Sequence, residues 1–160
     1  MYAKQALKPS ARITSGKKNN VDLEVIHIYE DEMGESHFGV FTVPLADQGP
    51  IGALSQRINT GDDGFMFRYT SGLYNYPSHT APRRQFIVHL DGGVRITTSD
   101  GVCRDILPGC VQFVSDCNGK GHKSESINGD DRYSVFISVP DSYQPPKTTP
   151  LYDAQGKSLQ

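Results

Sequence analysis

Apolar and polar side chains alternate with a period of two along most of the chain, the spacing of strands rather than helices. Over residues 21–29 (VDLEVIHIY), Leu23, Val25 and His27 fall on one face and Glu24, Ile26 and Ile28 on the other. The polar stretch 31–35 (DEMGE) turns around Gly34, and 37–43 (HFGVFTV) returns as a second strand closed by Pro44, which predicts a hairpin. Residues 46–63 are polar and rich in turn formers, including Gly49-Pro50, Gly52 and Gly61-Asp62-Asp63, and predict a loop with at most a short helical turn near Leu54. Strands resume at 64–69 (GFMFRY), where Phe65, Phe67 and Tyr69 share a face. Segments 85–90 (QFIVHL) and 93–99 (GVRITTS) flank Asp91-Gly92-Gly93, a hairpin signal, and Asp100-Gly101 leads into 102–107. Pro108-Gly109 separates that segment from 111–115, and 122–127 (HKSESI) turns at Asn128-Gly129 into 132–139 (RYSVFISV), which Pro140 stops. These are about nine or ten short strands at the ~8–12-residue spacing of sandwiches and jelly rolls. No sustained helical period and no internal repeat is present, which makes βαβ folds poor candidates.

Composition agrees. A chain of 160 residues fits one domain, and 36% hydrophobic with 21% charged residues is globular rather than disordered. Sixteen Gly, ten Pro and no Trp match an all-β chain with many turns. No apolar run approaches the ~18 residues of a membrane helix. A net charge of -2 gives no basic field, so neither nucleic acid nor a membrane is an expected partner. Cys103, Cys110 and Cys117 have a spacing that matches no standard metal knuckle, and thiols in a reducing cytoplasm are the expected state. The absence of an Asn-x-Ser/Thr sequon is consistent with that location.

The ends differ from the middle. Residues 1–21 carry Lys4, Lys8, Arg12, Lys17 and Lys18 with no acid before Asp22. They hold no apolar run of signal-peptide type, and Pro9 and Gly16 interrupt any amphipathic helix, so a loose basic arm is expected. Residues 141–160 contain Pro145, Pro146 and Pro150 with almost no aliphatic side chains, and predict a tail lying on the surface or remaining mobile. The expected body is therefore 22–140.

Candidate chemistry concentrates in His79-Thr80-Ala81-Pro82-Arg83-Arg84-Gln85 and the strand after it. Alternation places Gln85, Ile87 and His89 on one face and Phe86, Val88 and Leu90 on the other. That pattern fits a ligand-lined interior backed by an apolar layer, or an amphipathic strand whose polar face meets solvent. No G-x-S-x-G, P-loop or H-E-x-x-H motif occurs.

These residues resemble the cupin family. His79 stands at the first His of its first motif, Ala81 where a second His is usual, Gln85 at the Glu position, and Gly92 closes the motif. Gly101, Pro108-Gly109 and His122 follow the order of the second motif. HTAPRRQF and SDCNGKGHKS are similar to a group of small cupins with H-x-A-P-R-R-Q and D-x-x-G-x-G-H segments, and the resemblance spans residues 22–140. It implies an all-β jelly-roll, a double-stranded β-helix barrel with an N-terminal hairpin. It also implies a divalent metal (Fe, Mn, Ni or Zn) on His79, Gln85 and His122, or no metal, because an imidazole and a carboxylate charge are missing from the usual set. Asp116 can restore that charge, pair with His122 as a carboxylate–imidazole catalytic couple, or cap the turn 117–121.

Parity with Gln85 points Arg83 inward, where a guanidinium would suit a carboxylate or phenolate. Tyr69, Tyr74 and Tyr76 are candidates for an aromatic wall. Arg83, Tyr76 and His89 are the candidate substrate contacts; His89 also reads as a satisfied interior histidine. The resulting expectation is a protein binding a small organic molecule, as an enzyme of metal-assisted oxygenase, isomerase or cyclase type. The alternative is a non-catalytic binding or sensing module with a degenerate metal site. A homodimer, with the 22–43 hairpin pairing across a two-fold axis, is the expected assembly.

Overall fold

The computed structural model describes residues 6–7, 13–14, 20–153 and 156–159. Fourteen strands lie among them: β1 (Ala6–Leu7), β2 (Ile13–Thr14), β3 (Asn20–Glu30), β4 (Ser36–Asp47), β5 (Ala53–Leu54), β6 (Phe65–Thr70), β7 (Asn75–His79), β8 (Gln85–His89), β9 (Val94–Thr98), β10 (Cys103–Ile106), β11 (Val111–Val114), β12 (His122–Ser126), β13 (Arg132–Ser138) and β14 (Thr149–Pro150). The smaller sheet runs β1-β10-β9-β12-β7 and the larger β14-β4-β3-β11-β8-β13-β6, with β2 on β3 and β5 on β4. Pairing is antiparallel except for β1 with β10 and β11 with β3. No ladder joins the two sheets among the described residues, so the all-β architecture has two layers instead of a backbone-closed barrel. No helix among the described residues is long and apolar enough to cross a membrane.

The period-two pattern explains the layering. Ile26 and Ile28 of β3 face the smaller sheet and pack with Ile87, Val114, Val94, Ile96 and Ile106. Val25, on the opposite face, packs with Phe41, Phe86, Phe113 and Val139 under Tyr143. The larger sheet is thus buried on both faces near β3, β8 and β11, which is why these strands read as nearly continuous apolar runs. His27, among the second cluster, is hydrogen-bonded at both ring nitrogens, to Thr148 and Ser115.

Four sequence expectations change. Pro44 does not close β4, which runs on to Asp47. The Phe38 carbonyl accepts from Leu151 on the side away from β3, so alternation turns position 44 to that same side. Among the described residues no strand pairs there between β14 at Val40 and β5 at Ala46, so the missing proline N–H leaves no described ladder bond unmade. The short helical turn is a 3₁₀ turn at Gly49–Ile51, after Pro50 has fixed its φ, and Leu54 belongs to β5. The tail docks on the body: β14 pairs with β4, and Leu151, its aliphatic anchor, is buried in the inter-sheet core. Finally, the 22–43 hairpin is only partly an edge, because β3 lies between β4 and β11 while β5 and β14 cover parts of β4.

Of the basic arm, Ala6–Leu7 and Ile13–Thr14 pair with β10 and β3, and the rest of that expectation lies outside the described residues. No disulfide joins Cys103, Cys110 and Cys117.

Candidate functional site

A cavity of about 260 Å³ lies between the two sheets. Its walls follow from strand parity. Gln85, Ile87 and His89 of β8 point into it, as do Gln112 and Val114 of β11. From β6 come Met66, Arg68 and Thr70, and from β13 Arg132, Ser134 and Phe136. The smaller sheet contributes His79, Val94, Ile96, His122 and Ser124.

His122 opens β12 directly opposite His79 of β7. Gly121 makes that approach feasible: its φ is 71°, and a Cβ there would lie 2.1 Å from the His79 carbonyl oxygen. The two rings stand 4.8 Å apart at 54°. His122 Nδ1 donates to Asp116 Oδ2 at 2.7 Å, and Ser36 Oγ donates to the same oxygen at 2.8 Å. Asp116 is fully buried, and its other oxygen has no hydrogen-bond partner. It does not cap the 117–121 turn. The Asn118 and Gly119 amides donate to Glu30 Oε2 instead, at 3.0 and 2.6 Å, which leaves Asp116 to the imidazole. A proton on Nδ1 leaves the Nε2 lone pair of His122 as the ring's basic site.

His79 Nδ1 donates to the Pro77 carbonyl at 2.8 Å, so its Nε2 also keeps a lone pair. Burial lowers its pKa, against the Pro77 hydrogen bond, and the nearby His122 and Arg68 lower it further. His89 Nε2 donates to Gln112 Oε1 at 3.0 Å, leaving Nδ1 without a hydrogen-bond partner. Burial is the main cause pushing the His89 pKa down to about 4; the Gln112 bond opposes it and Arg132 adds to it.

The structure brings His79, Gln85, His89, Asp116 and His122 to one place. Tyr76 stands beside it: half-exposed, stacked on Tyr74, with its ring 4.5 Å from that of His79. Tyr74 lines the cavity, whereas Tyr69 faces outward and donates to Asp131. Arg83 is among the residues lining the cavity, at its mouth: the chain bends at 82–83, outside β8, and the partly exposed guanidinium pairs with Asp63 at 2.7 Å.

Two further arginines line the cavity, Arg68 and Arg132, neither of which was a candidate from the sequence. Phe65, Phe67 and Tyr69 share a face as expected, but it is the outer one, exposed by 62%, 75% and 54%. The intervening Met66, Arg68 and Thr70 therefore face in. β13 repeats the pattern, with Tyr133 half-exposed and Arg132 at 5% exposure. A detectable signal was present on β6, where Arg68 shares its parity with Thr70, away from Phe65, Phe67 and Tyr69; on β13 Arg132 shares its parity with Ser134 but also with Phe136.

The donor set does not fit a divalent ion held in the manner of catalytic cupins. His79 and His122 supply two neutral nitrogens and Gln85 a neutral amide. Asp116 binds the Nδ1 side of His122, so its charge is committed on the far side of the ring from Nε2. Three guanidinium cations, of Arg68, Arg83 and Arg132, line the cavity. No group of three or more His, Cys, Asp or Glu among the described residues is arranged to hold an ion.

No protein-family model and no curated protein matches the chain. The crystal structure of protein NMB1881 from Neisseria meningitidis is similar over 53% of this chain and 81% of that one, at 22% identity and a TM-score of 0.38.

Proposed function

We propose that the protein is a cupin-type jelly roll that binds a small organic molecule between its sheets and moves a proton on it without a metal, as isomerases do. The observation carrying this reading is the buried Asp116–His122 hydrogen bond of 2.7 Å beside a cavity. Asp116 fixes the Nδ1–H tautomer and stabilises the imidazolium that forms when Nε2 takes a proton. Ser36 holds Asp116 in turn. The bound molecule gives up a C–H or O–H proton to Nε2, keeps the electron pair, and receives the proton back at another atom. His79, held neutral, stands close enough to His122 to share in binding or in that return.

Phenylpyruvate is a suitable probe, because its methylene protons exchange with heavy water through an enolate. Proton NMR should show exchange faster than buffer for the wild type and at the buffer rate for His122→Ala. Equal rates for the two proteins would refute the base. A second reading, a binding or sensing module, is favoured by the loss of metal-type donors at Ala81 and Gln85. It predicts ligand binding without exchange.

A further inference from the structure

We infer that the cavity takes a small organic acid, its carboxylate held between Arg68 and Arg132. The inference rests on the reading of this cavity as a ligand site and names the ligand's charge. Arg132 is 5% exposed, and its one side-chain hydrogen bond among the described residues runs from Nη1 to Ser126 Oγ at 2.7 Å. A guanidinium has five N–H donors, so most of its capacity is unused. Arg68 forms no ion pair and no side-chain hydrogen bond among the described residues. Both groups lie over the Tyr74 ring, at 5.4 and 5.0 Å from its centroid, and Arg68 also lies over Phe136 at 5.3 Å. The two charges are therefore within about 10 Å of each other, the order of one Debye length, in a partly desolvated space.

Aromatic faces attract guanidinium groups but offer the N–H donors no in-plane acceptor. Elsewhere in the protein the arginine at Arg95 is paired, with Asp105 at 2.7 Å. Arg68 and Arg132 instead converge on the cavity with no carboxylate between them, and each raises the cost of burying the other. A carboxylate entering there supplies the missing acceptors and the missing charge, with the planar fork geometry that guanidinium groups match. Part of the remaining wall is apolar, with Ile87, Val94, Ile96 and Val114, which suits a hydrocarbon body better than a bare inorganic anion. A volume of about 260 Å³ falls below the ~300 Å³ at the small end of drug-sized pockets, so the body is a single ring or a short chain. His89 Nδ1 is an acceptor without a partner in this lining and suits a hydroxyl or N–H on that body.

Calorimetric titration of the untagged protein with phenylacetate and with its neutral isostere phenylacetamide tests the inference. The acid should bind at least about tenfold more tightly than the amide, with a preference that shrinks as salt is raised. Arg68→Gln should remove about tenfold of the acid's affinity and leave the amide unchanged, while Arg68→Lys restores part of it. Arg132→Gln should act alike, but Arg132 is buried; the Arg68 side chain makes no hydrogen bond among the described residues, so Arg68→Gln and the wild-type acid–amide pair decide the matter alone. Equal binding of acid and amide, or no loss in Arg68→Gln, would overturn the carboxylate assignment and leave the cavity reading intact. Displacement of phenylacetate by inorganic phosphate at equal affinity would overturn the organic-acid assignment. No binding of either compound at millimolar concentration would overturn both the inference and the cavity reading. Binding that persists in His122→Ala separates the clamp from the proposed base.

Discussion

Lowering the pH from neutral to about 5 should destabilise the protein through two buried imidazoles. Burial pushes His27 from 6.5 to about 3, with the Arg84 charge adding to the effect. His89 is likewise moved from 6.5 to about 4. Both are neutral in the fold and charge readily once exposed. The unfolded chain then binds more protons, so the stability they contribute is present above 6.5 and is lost as pH falls towards the folded values. Each group costs ~1.4 kcal/mol per pH unit, which gives ~2 kcal/mol apiece and ~4 kcal/mol together at about pH 5. That is a large share of the ~5–15 kcal/mol by which domains are stable, and corresponds to a fall in Tm of roughly 8–16 °C. His79, also lowered chiefly by burial, acts in the same direction. Urea unfolding at several pH values between 7 and 5, above the range where carboxylates dominate, measures the slope. His89→Gln can still donate to Gln112 while removing one titrating group, and should flatten the slope by about one proton. Unfolding free energies equal within ~1 kcal/mol at both ends of that range would refute the assignment of neutral buried histidines.

Three further outcomes follow. His37 bridges Asp31 and Asp100 at 2.8 and 2.7 Å; burial lowers its pKa, but these carboxylates more than offset that and the net shift is upward. Its modest contribution is therefore full below the ordinary imidazole value and lost as pH rises through the raised one, so His37→Gln should be less stable than the wild type at about pH 6 and indistinguishable at high pH in the same urea assay. Leu151→Ala should cost ~2–4 kcal/mol in urea unfolding and open the tail to limited proteolysis, because Leu151 anchors β14 in the inter-sheet core. Gln85→Glu should gain no tight affinity for Mn, Ni or Zn on titration, since the arginines in the same lining repel a cation and compete for the new carboxylate; tight binding of any of these ions by the variant would contradict the metal-free reading.

Much of the fold was legible because period-two alternation and glycine-bearing turns are local. β3, β4, β8, β9 and β13 each appear within a few residues of where the pattern places them. Pro44 misled because whether a proline breaks a ladder depends on which side of the strand its nitrogen faces, and that is set by β5 and β14, far off in sequence. Which of the tail's two expected states holds was not legible, because one leucine suffices to dock it along the surface once β4 offers an open stretch of edge. In the site, the parity of β8 grouped Gln85, Ile87 and His89, while Arg83, outside the strand, lines only the mouth of the same cavity. Arg68 and Arg132 were hidden by the ordinary rule that aromatic faces are buried. On β6 the aromatic face is the outer one, because the inner face lines a cavity instead of a packed core.

The most direct test of the account is the protonation pattern of the His122 ring, read by long-range proton–nitrogen NMR on protein with labelled histidine. The predicted spectrum has the proton on Nδ1, at the low field of a short hydrogen bond to Asp116, and a bare Nε2, with the low-field signal lost in Asp116→Ala. A proton on Nε2 above a bare Nδ1 would contradict it, because the nitrogen assigned to take a proton from the ligand would already carry one.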